Sequence, residues 1–442
     1  LTGGSGADTL NLTSSGAANL SGVSNFEAID LAVGGNAVTI ADKTLSGSAV
    51  TIQGGTGGNN TVNAGGTTKS SGKTLTYVAG NAIDKFTGGD ETDAIKVSAA
   101  AIGGDTLTGG TATKNTLTLT TAGAANLAGV SNFATITLAK GGNQVTVTDH
   151  TLSGGNVTIN HGAGGSNAVD ASGDTASSGR TLTYVAGTGT DTFTGGGEKE
   201  VVKVTAAAVG GDTLTGGSAK TNTLTLTTAG TVNLGGVSNF ETINLAAGNG
   251  TVTVTDATLS GGTVALNDST SGNNTITVSD SAASAGTSLT YTAKTGTDSF
   301  TGGAENDTVV AGAGSSTFAA GTGSDFFVFT QSILPSQTIN GFLVPSDHIV
   351  VYGIHQTGTG FDLGTADNGL NPTTDHAITA AIFTSNASGT FDAGNTKERF
   401  VYNTTNGQLT YGSQGSGSAS TTVVATLTGT PAISSANILF LH

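Results

Sequence analysis

Three landmarks recur along this chain with one shared period. VSNF ends at Phe26, Phe133 and Phe240, LTY ends at Tyr77, Tyr184 and Tyr291, and FTGG begins at Phe86, Phe193 and Phe300, a 107-residue step in every case. LTGG at Leu107 and Leu214 keeps the same spacing, and a further LTGG stands at Leu1, the first copy being one residue short near Ala7 and Asp8. A chain repeating in this way folds either as a row of separate domains or as one array whose units bury their inner faces against one another. The second copy argues for the array. Its apolar residues alternate with Thr in short runs: Thr116–Thr120, Ala134–Ala139, Gln144–Asp149, Asn156–Asn160, Ala168–Asp170, Thr181–Val185, Asp191–Thr194 and Val201–Thr205. This is the period-two pattern of strands, with Gly, Asn, Ser and Asp turns between them. About five coils of roughly 21 residues fit one repeat. Separate sandwiches would need bulkier strands and marked boundaries, whereas the chain has no Trp and its first Pro is Pro335. No window shows helical periodicity with caps. The expected fold is all-β: a right-handed parallel β-solenoid or β-roll of stacked coils.

Residues 302–329 carry a finer repeat of three nine-residue units, GGAENDTVV, AGAGSSTFA and AGTGSDFFV. The sixth residues are Asp307, Ser316 and Asp325, and the eighth are Val309, Phe318 and Phe327. This follows the nonapeptide G-G-x-G-x-D-x-U-x, the pattern of calcium-binding parallel β-rolls. Glycines such as Gly303, Gly321 and Gly323 permit the tight turn, the Asp offers a hard oxygen ligand, and the apolar residue enters the core. Two units make one coil, so Asp307 and Asp325, two units apart, are expected to meet across adjacent coils. Ser316 falls on the opposite side and should leave a weak or empty site. Two unscreened carboxylates about 5 Å apart, at an effective dielectric near 20, repel by roughly 3 kcal/mol. A Ca2+ ion between them reverses the sign.

Degenerate forms of this turn recur earlier. Asp84, Asp191 and Asp298 precede the FTGG blocks, and Asp93, Glu200 and Asp307 follow one nine-residue unit later. Asp8, in GGSGADTLN, is the cleanest single match, while its equivalents are Asn115 and Asn222, read as structural turns. The candidate metal ligands are therefore Asp307, Asp325, Gly303, Gly321, Gly323, Asp8, Asp84, Asp93, Asp191, Glu200 and Asp298. Phe26, Phe133 and Phe240, with Ile29, Ile136 and Ile243, are expected to plug a coil corner. The Thr-rich runs are read as good strand surface, spread over several coil positions and not gathered into one T-x-T column, which argues against an ice-binding face.

Composition limits the partners. The net charge is −16, with 14 Lys plus Arg against 30 Asp plus Glu, so no basic stripe exists to follow nucleic-acid phosphates. No apolar run approaches the length of a membrane-spanning helix, about 18 residues at the least. The absence of Cys fits an extracellular bacterial protein. The chain begins at Leu1, within a repeat motif and without a visible signal peptide, so a processed or truncated product is expected.

Beyond Gln331 the composition changes, and all four Pro lie there. Asp325, Phe327 and Phe329, followed by Ile339, Phe342, Asp347 and Ile349, form D-x-F-x-F and then I-x-x-F-x-x-x-x-D-x-I. RFVYNTTNGQLTYGSQG at 399–415 and ATLTGTPAISSANILF at 425–440 continue the pattern. As a set these resemble the terminal module of calcium-binding repeat (RTX) proteins exported by the type I system. The turns after the two tyrosines depart from relatives in lacking Asp. The resemblance implies one-step export with an uncleaved carboxy-terminal signal, Ile438–Leu441 fitting its hydrophobic end, and a location at the bacterial cell surface. The 107-residue repeats are similar in style to the assembly regions of type I-secreted surface-layer (S-layer) proteins. That likeness implies a homo-oligomeric lattice or filament, with a cell-surface polysaccharide as a candidate partner. The expected organisation is solenoid repeats over 1–106, 107–213 and, in part, 214–301, a nonapeptide calcium roll over 302–330 and a secretion-like module over 331–442.

No catalytic constellation is legible. H-E-x-x-H, G-x-S-x-G and the P-loop are absent. His348 beside Asp347 and His376 beside Asp375 are sequence neighbours, which a strand points to opposite faces. The sequence thus favours a non-enzymatic, self-assembling structural protein. The distal region of an adhesin or biofilm-matrix protein and the non-catalytic tail of an RTX enzyme are the alternatives.

Overall fold

The computed structural model describes all residues except 48, 69–72, 163, 176–177, 270–271, 280–286, 320, 332–334, 353–360, 362–375, 419 and 442. His355, Asp375 and His442 lie outside the described residues, and nothing is described of the His376 side chain. The chain is nearly all β, 41% strand and 6% helix, in about 15 stacked parallel turns. It divides into two compact units, Leu1–Thr223 and Leu224–His442.

Each coil of the first unit contributes one strand to each of two facing sheets. On one face, Thr92–Val97, Thr116–Leu119, Thr135–Thr137, Val157–Asn160, Thr181–Val185 and Lys199–Val204 follow in parallel register. The partners run from Ala94 through Thr116, Thr135, Thr158 and Thr183 to Val201, so one coil is as short as the step from Thr183 to Val201 and another as long as that from Thr158 to Thr183. From Ala94 to Val201 these five coils consume one 107-residue repeat, as the sequence predicts. The coils differ in length because their corners differ, while the strands stay in step.

Alternation in sequence becomes a filled core. Leu117, Ile136, Ile159, Tyr184 and Val202 stack inward from one face, and Val145, Val169, Phe193 and Leu214 meet them from the other, all 2% exposed or less. Tyr184 and Phe193 stack across the gap with ring centroids 5.6 Å apart. The same pair recurs as Tyr77 on Phe86 and Tyr291 on Phe300. These rings set the width of the narrow interior and bury the largest apolar areas in it. Phe133 and Phe240 are buried, but Phe26 is only partly so. Outward threonines do form columns, Thr116, Thr135, Thr158 and Thr183 being consecutive partners. The sequence reading missed this because unequal coil lengths hide the alignment.

The helices are a second correction. Ala99–Ile102, Asp149–Leu152, Ala206–Val209 and Asp256–Leu259 are single turns at coil corners. Ser98 and Thr205 cap two of them by accepting from the amides of Ala101 and Ala208. One turn is too short to show a hydrophobic period. Once per repeat the second sheet also breaks: Val130–Ser131 pairs with the strand before it, and Ala124–Asn126 with the strand after. Asn132 follows with φ of 62°, as do Asn25 at 60° and Asn239 at 59° in the other copies. The Asn132 side chain donates to the Gly109 carbonyl at 3.2 Å. Asn132→Ala is expected to cost about 1–2 kcal/mol, because Ala lacks the polar side chain that lets Asn tolerate the left-handed region and loses the bond to Gly109. Asn132→Gly should recover most of it, read from urea midpoints. Equal losses would remove backbone strain from the explanation.

In the second unit the coils continue through the nonapeptide region. Thr290, Thr308 and Phe326 are successive partners at equal steps, two nine-residue units to a coil. Gln337–Asn340 and His348–Tyr352 then stack in register on the preceding coil. Thr422–Leu427 and Ile438–Leu441 pair in parallel with those two strands. Antiparallel strands Phe400–Asn403 and Gln408–Tyr411 extend the second sheet. Further strands thereby cover the last coil in both sheets, and in the second sheet the outermost strand becomes Phe383–Asn386, paired with Phe400–Asn403.

Candidate metal centres along the coil turns

The polar residues at the sixth position of the turns are buried, Asp8 apart. Asp84, Asp105, Asp191, Asp212, Asn115, Asn222, Asp298 and Asp325 each accept a hydrogen bond from a backbone amide one coil earlier, whereas Asp93 accepts from the Gly110 amide and Glu200 from those of Gly196 and Gly217. Along one corner of the first unit, the Asn60 amide donates to Asp84 Oδ1 and the Asp84 amide to Asp105 Oδ1, both at 2.8 Å. In the next repeat Asn167, Asp191 and Asp212 do the same, again at 2.8 Å. On the other corner the Asp93 amide donates to Asn115 Oδ1 at 2.9 Å and the Glu200 amide to Asn222 Oδ1 at 3.0 Å. These are rows of otherwise orphaned turn amides, and each such bond to a charged group contributes about 1.5–3 kcal/mol.

Asp307 and Asp325 lie on adjacent coils of the second unit, as expected, but they meet differently. The Asp307 amide donates to Asp325 Oδ1 at 2.8 Å, and the Asp325 amide donates to Asp347 Oδ1 at 3.2 Å. Carboxylate meets amide, not carboxylate. Ser316 has its own place in the other row, where its hydroxyl accepts from the Asp298 amide at 2.9 Å and its amide donates to Gln337 Oε1 at 2.9 Å. Gly321, at φ 99°, and Gly323, at φ 133°, press on the previous coil. A Cβ would stand 2.2 Å from the Gly303 carbonyl oxygen and 2.4 Å from that of Glu305. The structure thus brings together Asp307, Asp325, Gly303, Gly321 and Gly323 at one turn. Asp84, Asp93, Asp191, Glu200 and Asp298 occupy the two rows, with Asp84 and Asp93 on opposite sides of a coil. Asp8 is half-buried, its amide donating to Glu27 Oε2 at 2.8 Å.

The coil corners also bury acids that sequence reasoning did not single out: Asp105, Asp212 and, as a site residue, Asp347 within the rows, and Glu91, Asp174, Glu198 and Asp268 beside them. The 107-residue spacing of Glu91 and Glu198, and of Asp105 and Asp212, was the available signal. Among the described residues, several of the buried corner acids carry an oxygen with no hydrogen-bond partner: Asp93 Oδ1, Glu91 Oε1, Asp105 Oδ2, Asp174 Oδ1, Asp212 Oδ2 and Asp325 Oδ2. Burial raises Asp93, Asp174 and Asp325 to about 7, the charge of Glu91 adding at Asp93 and that of Asp347 at Asp325. Burial likewise raises Asp105, Glu200 and Asp212 to about 6. An ionised carboxylate buried with a bare oxygen is costly, so it takes a proton or a cation.

Calcium binds six to eight oxygens of carboxylates, carbonyls and water. The corner at Asp325 offers oxygens of the right kinds: a buried Asp325 carboxylate oxygen with no hydrogen-bond partner among the described residues, and on the preceding coil the Gly303 and Glu305 carbonyls that Gly321 and Gly323 approach. Among the described residues no three His, Cys, Asp or Glu side chains converge on one point. A cation here would therefore be completed by backbone carbonyls. A groove of about 640 Å³ beside the second VSNF block is lined by residues such as Thr111, Thr113, Ala134, Asn156 and Thr158, none of its lining being acidic, basic or His. Among the described residues no helix is long and apolar enough to cross a membrane. No protein-family model, curated protein or solved structure matches the chain.

Proposed function

We propose that this protein is a non-enzymatic structural element of a bacterial cell surface, a solenoid stiffened by Ca2+ that self-assembles into a layer or filament. One observation carries the reading: rows of buried carboxylates run along the coil corners with bare oxygens that the chain itself leaves uncompensated. Divalent cations at the corners would neutralise them and tie neighbouring coils together. The 107-residue repetition supports assembly, because a surface presented periodically can make the same contact more than once. The terminal motifs, in resembling RTX export modules, support a type I-secreted S-layer protein over an intracellular one. Calcium would be held by Asp325 and Asp307 with carbonyls of the neighbouring turn, and by the acids of the earlier rows. When bound it supplies charge neutralisation and cross-coil ligation.

The test is assembly. Metal-free protein should be small and monodisperse by light scattering, and millimolar calcium should convert it to sheets or fibres visible by negative-stain electron microscopy. Protein that remains monomeric at high concentration and millimolar calcium would defeat this reading.

A further inference from the structure

The three repeats fill one corner position with three different residues, Gly54, His161 and Asp268, each one 107-residue period from the last. The row acids to compare with them are Asp84, Asp191 and Asp298; His161 and Asp268 each lie close to theirs, while Gly54 packs on Val78 and Gly80. In the first copy Asp84 is fully served. Its Oδ1 accepts from Asn60, and its Oδ2 accepts from the Tyr77 hydroxyl and the Gly80 amide, both at 2.7 Å. In the second copy His161 Nε2 lies 3.9 Å from Asp191 Oδ1, and the Gly187 amide donates to Asp191 Oδ2 at 2.8 Å. The His161 ring thus fills the space beside this acid, its Nε2 also lying 3.1 Å from the Gly165 carbonyl oxygen.

The third copy doubles the negative charge instead. Asn274 holds both acids: its amide donates to Asp298 Oδ1 and its side chain to Asp268 Oδ1, each at 2.8 Å. The other oxygens, Asp268 Oδ2 and Asp298 Oδ2, are buried and, among the described residues, without a hydrogen-bond partner. The buried Tyr291 hydroxyl makes no bond of strict hydrogen-bond geometry among the described residues, yet lies close enough to Asp298 to counter part of the rise that burial gives that carboxyl. It is near enough for burial and the charges of both acids to raise its pKa. Lys294 replaces the Gly80 and Gly187 of the other copies; its side chain is exposed, and among the described residues no ion pair reaches either acid. Burial raises Asp268 first and the Asp298 charge second, against hydrogen bonds from Ser269, Asn274 and Lys294. Asp298 is likewise raised by burial.

We infer that Asp268, Asp298 and the Tyr291 hydroxyl form a divalent-cation site particular to the third repeat, in which an external ion takes the place that the His161 ring holds in the second. Asp268 stands outside the nine-residue pattern, six places before the turn position held by Asn274. The inference rests on the calcium reading above. Two carboxylates anchored on one Asn repel, and Ca2+ is matched by paired carboxylate and neutral oxygens. A shared proton is the competing solution, in the manner of carboxylate dyads.

The test uses the full chain, stripped with chelator and titrated with calcium by calorimetry and equilibrium dialysis. Asp268→Asn keeps shape and removes one charge. A second variant, Asp268→His with Lys294→Gly, rebuilds the second copy; the glycine is required because the His161 ring occupies the space that a Cβ on Gly187 would fill, at 2.1 Å. Asp325→Asn serves as the control for the nonapeptide turn. Each Asp268 variant should bind one calcium fewer than wild type, or bind it at least tenfold more weakly, while Asp325→Asn loses a different ion and the losses add. Wild-type calcium binding that is unchanged in both Asp268 variants would overturn this site while leaving the calcium-stiffened solenoid intact. A raised melting temperature in Asp268→Asn with no lost ion would assign the pair to a shared proton. A wild type that binds no calcium at all would overturn both readings.

Discussion

Stripped of divalent cations, the protein should become more stable as the pH falls from 8 to 5, and calcium should abolish that trend. The sign follows from the buried acids. Asp93, Asp174 and Asp325 titrate near 7 in the folded chain, and Asp105, Glu200 and Asp212 near 6, chiefly because burial penalises the charged form. In the unfolded chain such groups titrate at about 4. Between about pH 4 and 7 the folded state therefore holds protons that the unfolded state has released. Stability is greatest below that window and is lost as pH rises through the folded values. With six groups spread over both units, the apparent melting temperature without metal should rise on the order of 10 °C between pH 8 and 5. At pH 8 calcium does the work of the protons. An ion present at 100 times its Kd and bound only to the folded state adds about 2.7 kcal/mol. Calorimetric melts in chelator and in calcium, at pH 5 and pH 8, give the four values needed. A flat profile in chelator would mean that the acids are already compensated, and an unchanged melt in calcium would remove the ion from the account.

Gly296→Ala should be among the most damaging single changes, although it adds one methyl group. A Cβ at 296 would lie 1.5 Å from the Gly272 carbonyl oxygen, and one at 314 would lie 1.6 Å from that of Gly296. These glycines stack backbone on backbone at a corner where no side chain can swing away. The coils must separate there, next to the bond from the Asn274 amide to Asp298. Overpacking in a tight interior costs about 1–3 kcal/mol when neighbours can shift, and a backbone obstacle places this variant at or above the upper end. The urea midpoint should fall with little change in slope. Gly66→Ala is the matched control: it is exposed and meets nothing within 4 Å, so its effect should stay within about 0.5 kcal/mol. Equal effects at the two positions would show that close coil approach is not what the glycine maintains.

Much of the candidate site was legible because the row positions repeat. Asp84, Asp191 and Asp298 could be aligned by the FTGG blocks alone, and two nine-residue units were correctly expected to close one coil. What those acids do was not legible. The two-unit spacing of Asp307 and Asp325 showed that they are neighbours, yet not that the Asp307 amide takes Asp325 Oδ1. Sequence spacing carries no information on which atom of a side chain faces the next turn. Glu91 and Asp105 were passed over because they depart from the nine-residue pattern. Their burial depends on corners whose lengths vary from coil to coil.

The sequence by itself determined the periodicities: a 107-residue repeat, alternation within strands and a polar residue at the sixth place of each turn. These are local properties, and they suffice to demand stacked parallel coils with a thin apolar interior. The tertiary structure decided the partnerships. Residues a full coil apart become neighbours only after the register is set, and that register is chosen by packing rows such as Leu117, Ile136, Ile159, Tyr184 and Val202 together. The same stacking brings Asp268 and Asp298 to Asn274 although more than a coil of sequence separates the two acids. Hydrogen bonds and buried charge depend on ångström distances across coils, and those exist only once the coils have stacked.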